Sequence, residues 1–283
     1  MTLIPRHALA SLLLSAAAAA LAAEESADPP DLAPKPLSES DLGTKWEGAI
    51  GPMFSLSPEY QGAAHHKLSL TPGFYLRRGR YSISNQSGFV TRRADDVFRG
   101  LGVDMVQNDR VRVNFALRLD NGRHSSDSPA LAGIQNVRRT IRMRSSATWQ
   151  LAEGWKVAAG WNTDLLGHGG GNLIDVGAGH DRRISPRIVW NVGGGFTWGD
   201  GRYMRSYYGV TPEESVASGY PVYTPGSGLR DVTLGTSFRM EIDPRWTALW
   251  GASVSRQLGP AAQSPFTPSQ RQWSLNGGIG WRF

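Results

Sequence analysis

Apolar and polar residues alternate along most of the chain, and the alternation is clearest at the C-terminus. Trp273, Leu275, Ile279, Trp281 and Phe283 occupy alternate positions, with polar or small residues between them. A period of two puts the apolar side chains on one face of a β-strand and the polar side chains on the other. We therefore predict that the chain ends in a strand with one apolar and one polar face.

The same period recurs upstream and predicts about twelve strands. Most of them have about the 9–11 residues with which a tilted strand crosses a bilayer. The predicted strands are 46–56, 67–77, 80–90, 99–107, 111–119, 139–151, 155–165, 172–178, 184–198, 229–242, 245–258 and 271–283.

Short and long links alternate between these strands. The short links are Arg78-Gly79, Asn108-Asp109-Arg110, Ala152-Glu153-Gly154 and Asp243-Pro244, all rich in turn-forming residues. The long links are 57–66, 91–98, 120–138, 166–171, 199–228 and 259–270. Outer-membrane barrels combine an even strand count with short periplasmic turns and longer external loops. The pattern therefore predicts an all-β fold, a closed antiparallel transmembrane β-barrel over 43–283, with a secreted β-sandwich as the alternative.

The N-terminus has the features of an export signal. Arg6 precedes an Ala- and Leu-rich stretch that ends in Ala20-Leu21-Ala22, and small residues at Ala20 and Ala22 fit a cleavage site. We predict a signal peptide over 1–22. Residues 23–42, with six acids, one lysine and four prolines, are predicted to form an acidic periplasmic linker.

Composition narrows the function classes. The chain has no cysteine, which excludes disulfides, thiolate metal sites and a cysteine nucleophile. The mean hydropathy is −0.33 and only 19% of residues are charged, which argues against a bundle of membrane helices. The pI of about 9.8 invites a nucleic-acid partner, but the export signal and the absence of a binding motif argue against one.

The polar face of the strands carries arginines. If the apolar face meets lipid, then Arg112, Arg118, Arg142, Arg144 and Arg239 face the lumen. A basic lumen would attract anions and disfavour cations. Alternatively, these arginines pair with acids such as Asp104, Asp164 or Glu241 and fill the interior. Twelve strands lie between the filled eight-stranded barrels and the open sixteen-stranded ones, so both interpretations stay open.

Predicted external segments are also rich in arginine. Guanidinium groups bind phosphate in bidentate geometry, so we expect contacts with outer-membrane lipids and the phosphates of lipopolysaccharide. The candidates are Arg92, Arg93, Arg99, Arg123, Arg138, Arg139, Arg202 and Arg205.

No catalytic or metal-binding constellation is visible. The histidines beyond the signal peptide fall in predicted loops or turns, where no partners hold them as a base or ligand. They are His65, His66, His124, His168 and His180. We expect a protein that is not an enzyme and has no cofactor.

The C-terminal strand also resembles the signal by which the barrel assembly machinery recognises its clients. That signal consists of alternating apolar residues that end in a terminal aromatic residue, here Trp273, Leu275, Ile279, Trp281 and Phe283. We expect the barrel assembly machinery to be a partner during biogenesis.

Several stretches resemble the MipA/OmpV family, which is named for its MltA-interacting member. They are Pro58-Glu59-Tyr60-Gln61-Gly62, Thr197-Trp198-Gly199-Asp200, Tyr203-Met204, Tyr207-Tyr208-Gly209-Val210, Ser218-Gly219, Gly228-Leu229-Arg230-Asp231 and the Arg256-to-Pro265 region. Two positions depart from the family pattern, Tyr208 in place of Phe and Pro260 in place of Asp.

The resemblance implies an outer-membrane barrel with no catalytic residues to carry over. One member is described as a scaffold that joins a lytic transglycosylase to a bifunctional murein synthase. Other members are discussed as porin-like or adhesion-related proteins. A scaffold is therefore the expected function, with a narrow anion-favouring channel as the alternative.

Overall fold

The structure is a computed structural model that describes residues 45–86, 99–108 and 110–283. The predicted signal peptide with Ala20 and Ala22, the linker over 23–42 and positions 87–90 of the third predicted strand lie outside the described residues. These three predictions therefore stay predictions.

In the described part of the chain, twelve antiparallel strands form a closed barrel in which each strand pairs with its neighbours in sequence. The strands β1–β12 are Trp46–Pro58, His66–Arg78, Tyr81–Ser84, Gly100–Gln107, Val111–Asp120, Thr140–Ala152, Trp155–Asp164, Asn172–Ser185, Ile188–Gly199, Gly228–Glu241, Trp246–Gln257 and Arg271–Arg282. β12 pairs with β1 and closes the barrel, with Ala49 opposite Arg282 and Leu56 opposite Leu275. The predicted fold class is confirmed.

Apolar side chains cover the outside of the barrel. Leu68, Leu70 and Leu234 are 73%, 74% and 62% exposed, whereas the inward Tyr75 and Arg142 are 2% and 1% exposed. A sandwich would bury its apolar face in a core, so that alternative is wrong. Closure leaves no unpaired strand edge in the hydrocarbon, where no water would satisfy it.

Several strand boundaries differ from the sequence prediction: β3 ends at Ser84, so that Asn85 and Gln86 lie outside the strand, and β9 begins at Ile188 rather than at 184. The largest difference is at the end of β8. β8 runs to Ser185 rather than ending at 178, and the chain turns at Pro186-Arg187 rather than at 179–183. The polar run from His180 to Arg183 hid the end of this strand, because its outward positions are not apolar. The corrected turn adds another short link between two long ones.

Short turns and long loops lie at opposite ends of the barrel, as predicted. By the rule for such barrels, the turn end is periplasmic and the loop end extracellular. We name the long loops L1 (59–65), L3 (121–139), L4 (165–171), L5 (200–227) and L6 (258–270); most of L2 lies outside the described residues. None of the helices described is both long and apolar enough to span a membrane.

Aromatic side chains concentrate near the periplasmic end. Trp46, Trp149, Trp155, Trp246 and Trp281 lie close to the turns and are all more than a third exposed. Aromatic residues form such girdles where a barrel crosses the lipid–water interface. Their position marks the periplasmic limit of the apolar belt.

L5 contains two short helices, α1 (Gly201–Tyr208) and α2 (Pro212–Ser218), and L6 contains a third, α3 (Gly259–Ala262). The Asp200 side chain caps α1 by accepting a hydrogen bond from the Tyr203 amide. Thr211 and Glu214 form a reciprocal capping box at the start of α2.

L1, L3, L5 and L6 pack together into one extracellular cap. Its apolar core consists of buried residues that come from all four loops, namely Tyr60, Ala63, Leu131, Ile134, Val210 and Phe266. Loops with a shared core are held over the barrel mouth, since loops without buried apolar contacts open locally at little free-energy cost.

Candidate functional site

The five predicted lumen arginines all lie on the inward side of their strands. Four of them pair with a carboxylate: Arg112 with Asp104, Arg142 with Asp120, Arg144 with Asp175 and Arg239 with Glu241. Within the described residues, Arg118 makes no hydrogen bond or ion pair. Their role in selecting solutes stays a prediction.

A periplasmic charge network of Glu47, Arg77, Asp104, Arg112 and Asn114 fills part of the lower lumen. Asp104 accepts hydrogen bonds from Arg77 (3.1 Å), Arg112 (2.9 and 3.0 Å) and Asn114 (2.9 Å). Glu47 lies 3.9 Å from Arg77. Buried charges are tolerated when they are paired and hydrogen-bonded, and Asp104 meets this condition by binding groups from two other strands. Oε2 of Glu47 and Oδ1 of Asn114 are buried without a hydrogen-bond partner among the described residues.

Two further ion pairs link non-neighbouring strands on the inner face of the barrel. Arg144 of β6 reaches over β7 to bind Asp175 of β8 in bidentate geometry, with both N–O distances at 2.7 Å. Glu241 of β10 accepts from Arg282 of β12 (3.0 Å) and lies 3.2 Å from Arg239. These pairs bridge strands that are not neighbours, so they stiffen the wall and leave their arginines little free charge.

A cavity of about 560 Å³ occupies the lumen beside β7–β11. Gly177, Gly179 and Gly193 line it and leave space that side chains fill elsewhere. The neighbouring strands approach closely here: a Cβ at Gly195 would lie 2.5 Å from the Val176 carbonyl oxygen.

A second cavity, of about 390 Å³, lies beneath the cap, and we call it the arginine–tyrosine pocket. Arg142 and Arg230 stack on the Tyr203 ring at 5.6 and 5.8 Å, and Arg230 donates to the Tyr203 hydroxyl (3.0 Å). Tyr203 in turn stacks on Tyr207 at 4.5 Å. Arg118 lines the same cavity. The pocket thus combines cationic groups with aromatic rings, which are the groups that bind anionic and ring-shaped ligands.

Tyr208 joins the loops of the cap. It is 1% exposed, and its hydroxyl donates to Gln61 (2.8 Å) with Gln257 also within reach (3.3 Å). Ser264 donates to the Tyr208 carbonyl oxygen (2.7 Å). Burial raises the pKa of the Tyr208 hydroxyl well above its usual value. Three of the stretches that carry the family resemblance, those around Gln61, Tyr208 and Ser264, therefore meet at this residue.

Arg123 was predicted to be an external lipid contact, and this prediction is wrong. The side chain is 6% exposed, donates to the carbonyl oxygens of Tyr207 (2.7 Å) and Gln135 (3.1 Å), and lies 4.9 Å from the Phe266 ring. Burial lowers the pKa of Arg123. Other candidates on the extracellular side are exposed, namely Arg99, Arg138, Arg139, Arg202 and Arg205, whereas Arg92 and Arg93 lie outside the described residues.

The five residues of the proposed assembly signal share the outward face of β12. Trp273, Ile279, Trp281 and Phe283 are more than a third exposed, and Leu275 is half-buried. They lie on the strand that closes the barrel against β1. Recognition by the assembly machinery stays a prediction.

Three of the five histidines beyond the predicted signal peptide lie against aromatic rings or backbone oxygens. His66 stacks on Trp273 at 4.2 Å, His180 contacts Trp155 at 4.6 Å, and His168 hydrogen-bonds the Arg139 carbonyl oxygen. Among the described residues, no three histidines or acids form a group that could hold a metal ion.

Comparison with solved structures finds other barrels. The chain is similar to a KdgM porin (9% identity, TM-score 0.39, covering 83% of this chain and 99% of that one). It is also similar to the translocator domain of the autotransporter NalP from Neisseria meningitidis (11% identity, TM-score 0.44, covering 85% of this chain and 89% of that one). A third similar structure is an anion-selective porin from Comamonas acidovorans (7% identity, TM-score 0.37, covering 84% of this chain and 99% of that one). All three TM-scores lie below 0.5, and the barrel assignment rests on the strand pairings themselves.

None of the curated proteins matches the chain in sequence. The sequence profile described as "MltA-interacting protein MipA" matches residues 50–283, which is most of the chain. With its lipid-facing belt and closed barrel, the protein resides in the bacterial outer membrane, and the chain belongs to the family of the MltA-interacting protein MipA.

Proposed function

We propose that the protein is a structural barrel, not an enzyme, that anchors a lytic transglycosylase at the periplasmic face of the outer membrane. Through that enzyme it would also hold a bifunctional murein synthase. The observation that carries the proposal is the internal neutralisation of charge: four of the five predicted lumen arginines bind carboxylates of the chain itself. The packed extracellular cap supports the same conclusion.

The periplasmic end offers a surface for such a partner. Exposed arginines surround it, whereas the only acids in its described turns are Glu153 and Asp243. We call this surface the periplasmic rim; its arginines are Arg78, Arg80, Arg110, Arg182, Arg183, Arg187 and Arg245. A basic rim favours a partner with an acidic face, because complementary charge speeds association and orients the partner.

Charge reversal tests the rim. We expect Arg80→Glu, Arg187→Glu and Arg245→Glu, combined in the full-length protein, to weaken capture of a purified lytic transglycosylase. The matched control reverses three exposed arginines at the other end of the barrel, Arg138, Arg202 and Arg205. Docking at the rim would be contradicted if both triple variants captured the transglycosylase equally well. Capture by the wild-type protein should weaken as the salt concentration increases.

The predicted acidic linker is the other candidate for docking. Deletion of residues 24–41 distinguishes the two sites, because the rim stays intact. Retained capture by the deletion variant would reject the linker as the docking segment.

A second candidate function is a narrow anion-favouring channel. The lumen cavity of about 560 Å³ beside β7–β11, with Lys156, Arg183 and Arg239 in its lining, favours this alternative. Single-channel recording in a planar bilayer separates the two functions, since a structural barrel with a closed mouth conducts no ions.

A further inference from the structure

Arg118 is a partly buried cation of the arginine–tyrosine pocket without an ion-pair partner among the described residues. It lies directly opposite Arg142 in the β5–β6 register, and Arg144 lies opposite Ala116. Arg142 is neutralised by Asp120 and Arg144 by Asp175, whereas Arg118 has no ion pair within the described part of the chain. A partly buried guanidinium beside other cations favours an anion from outside the chain.

The same pocket contains an unmatched acceptor. Oε2 of Glu59 is buried and has no hydrogen-bond partner among the described residues, and Glu59 lines the cavity with Arg118. A buried acceptor without a donor is destabilising and calls for an explanation. A ligand hydroxyl or amine would satisfy it.

The balance of charge in the pocket favours an anion overall. Five arginines and three acids line it, and Asp231 forms an ion pair with the lining residue Arg230, which gives a net charge of 5 − 4 = +1. The lining charges are Arg99, Arg118, Arg123, Arg142, Arg230, Glu59, Asp120 and Asp127. Tyr203, Tyr207 and Tyr208 add aromatic surface. Arg99 is exposed, so the pocket reaches solvent on the extracellular side.

We propose that the arginine–tyrosine pocket binds a small acidic sugar, with the anionic group on Arg118 and a sugar hydroxyl donating to Glu59. The volume of about 390 Å³ lies at the lower end of the range for small-ligand sites, about 300–1,000 Å³, and suits one or two sugar rings. The anion is either a carboxylate, as in a uronic acid, or a phosphate ester. This binding is independent of partner docking and of whether the lumen conducts.

Titration of the full-length protein in detergent micelles tests the site. The probes are glucuronate, glucose 6-phosphate and neutral glucose, with binding followed by calorimetry. We expect saturable binding of at least one anionic sugar and none of glucose. The two anionic arms distinguish a carboxylate ligand from a phosphate ligand.

Variants at Arg118 assign the contact. We expect Arg118→Gln to weaken binding of the anionic sugar about tenfold or more, because it removes a charged hydrogen bond, and Arg118→Lys to restore part of it. The control Arg245→Gln removes the same charge from an exposed turn at the opposite end and should leave binding unchanged. Heat-dependent migration on gels verifies that each variant forms a folded barrel.

Glu59→Leu removes the acceptor and tests recognition of the sugar hydroxyl. It should weaken binding of glucuronate or glucose 6-phosphate relative to that of acetate or inorganic phosphate, which have no sugar hydroxyl to lose. The proposal is overturned if the folded wild-type protein binds neither anionic sugar, if glucose binds equally well, or if Arg118→Gln and Arg245→Gln bind alike.

Discussion

At the scale of single residues, Asp104 is the central acceptor of the charge network in the periplasmic half of the lumen. It accepts hydrogen bonds from Arg77, Arg112 and Asn114, and it is 5% exposed. Replacement of a buried acid by a neutral residue leaves its cationic partners uncompensated, which is more destabilising than loss of an exposed pair.

We therefore predict that Asp104→Asn lowers the free energy of unfolding by about 3–5 kcal/mol. Urea unfolding in detergent, followed by tryptophan fluorescence, measures the change. Glu153→Gln removes a negative charge from an exposed turn and serves as the control. Equal unfolding midpoints for the two variants would contradict the role of the network.

Tyr208 supplies a second residue-scale prediction. Tyr208→Phe installs the residue usual in the family and removes the hydroxyl that hydrogen-bonds Gln61. We expect the cap to lose about 1 kcal/mol of stability, which should increase proteolysis of L3 and L5. Tyr81→Phe, on the exposed outer wall, is the control. Similar proteolysis in both variants would argue against a stabilising role for the hydrogen bond between Tyr208 and Gln61.

Residue roles in the pocket were only partly predictable from sequence. The period of two places Arg118 and Arg144 inward without a structure, because strand residues alternate between faces. Which arginine is neutralised depends on carboxylates of distant strands, since Arg144 and Asp175 are 31 residues apart. No local pattern encodes that pairing, so the unmatched Arg118 emerged only from the fold.

At the scale of elements, the strands were predictable wherever outward positions are apolar. β8 was too short in the prediction because its periplasmic end carries polar residues on both faces. The short helices were missed, although the capping box of Thr211 and Glu214, with Pro212 after the cap and Gly219 at the end of α2, was a readable signal. The cap core was not predictable, because Tyr60 and Phe266 lie 206 residues apart.

The close approach of β8 and β9 leads to an element-scale prediction. A Cβ at Gly195 would meet the Val176 carbonyl oxygen at 2.5 Å, whereas a Cβ at Gly235 would be 3.4 Å from its nearest neighbour. We expect Gly195→Ala to reduce the folded fraction on heat-modifiability gels and Gly235→Ala to leave it near the wild-type value. The opposite ranking would contradict the strand spacing.

At the scale of the whole molecule, the packed cap lies at the extracellular end of the barrel, and the charge network fills part of the periplasmic half of the lumen. The cap contains buried tyrosines, so we expect its stability to decrease at alkaline pH, where their hydroxyl groups ionise. Burial raises the pKa of Tyr60 from 10.0 to about 12 and also raises those of Tyr207 and Tyr208.

The raised pKa values fix the sign of that dependence. Folding favours the neutral hydroxyl, so the stabilisation is complete below pH 10 and decreases as the pH rises from about 10 towards 12. We expect the near-ultraviolet circular dichroism of the cap tyrosines to collapse in this window while the barrel signal persists. Tyrosine ionisation with all midpoints near the ordinary value would contradict a packed cap.

Conductance tests the central claim of a closed structural barrel most directly. The purified full-length protein, with its folding verified by gel migration, is inserted into a planar lipid bilayer under an applied voltage. The packed cap and the neutralised lumen arginines predict insertion without resolvable conductance steps. Stable, anion-selective steps from the wild-type barrel would contradict the structural role and establish the channel instead.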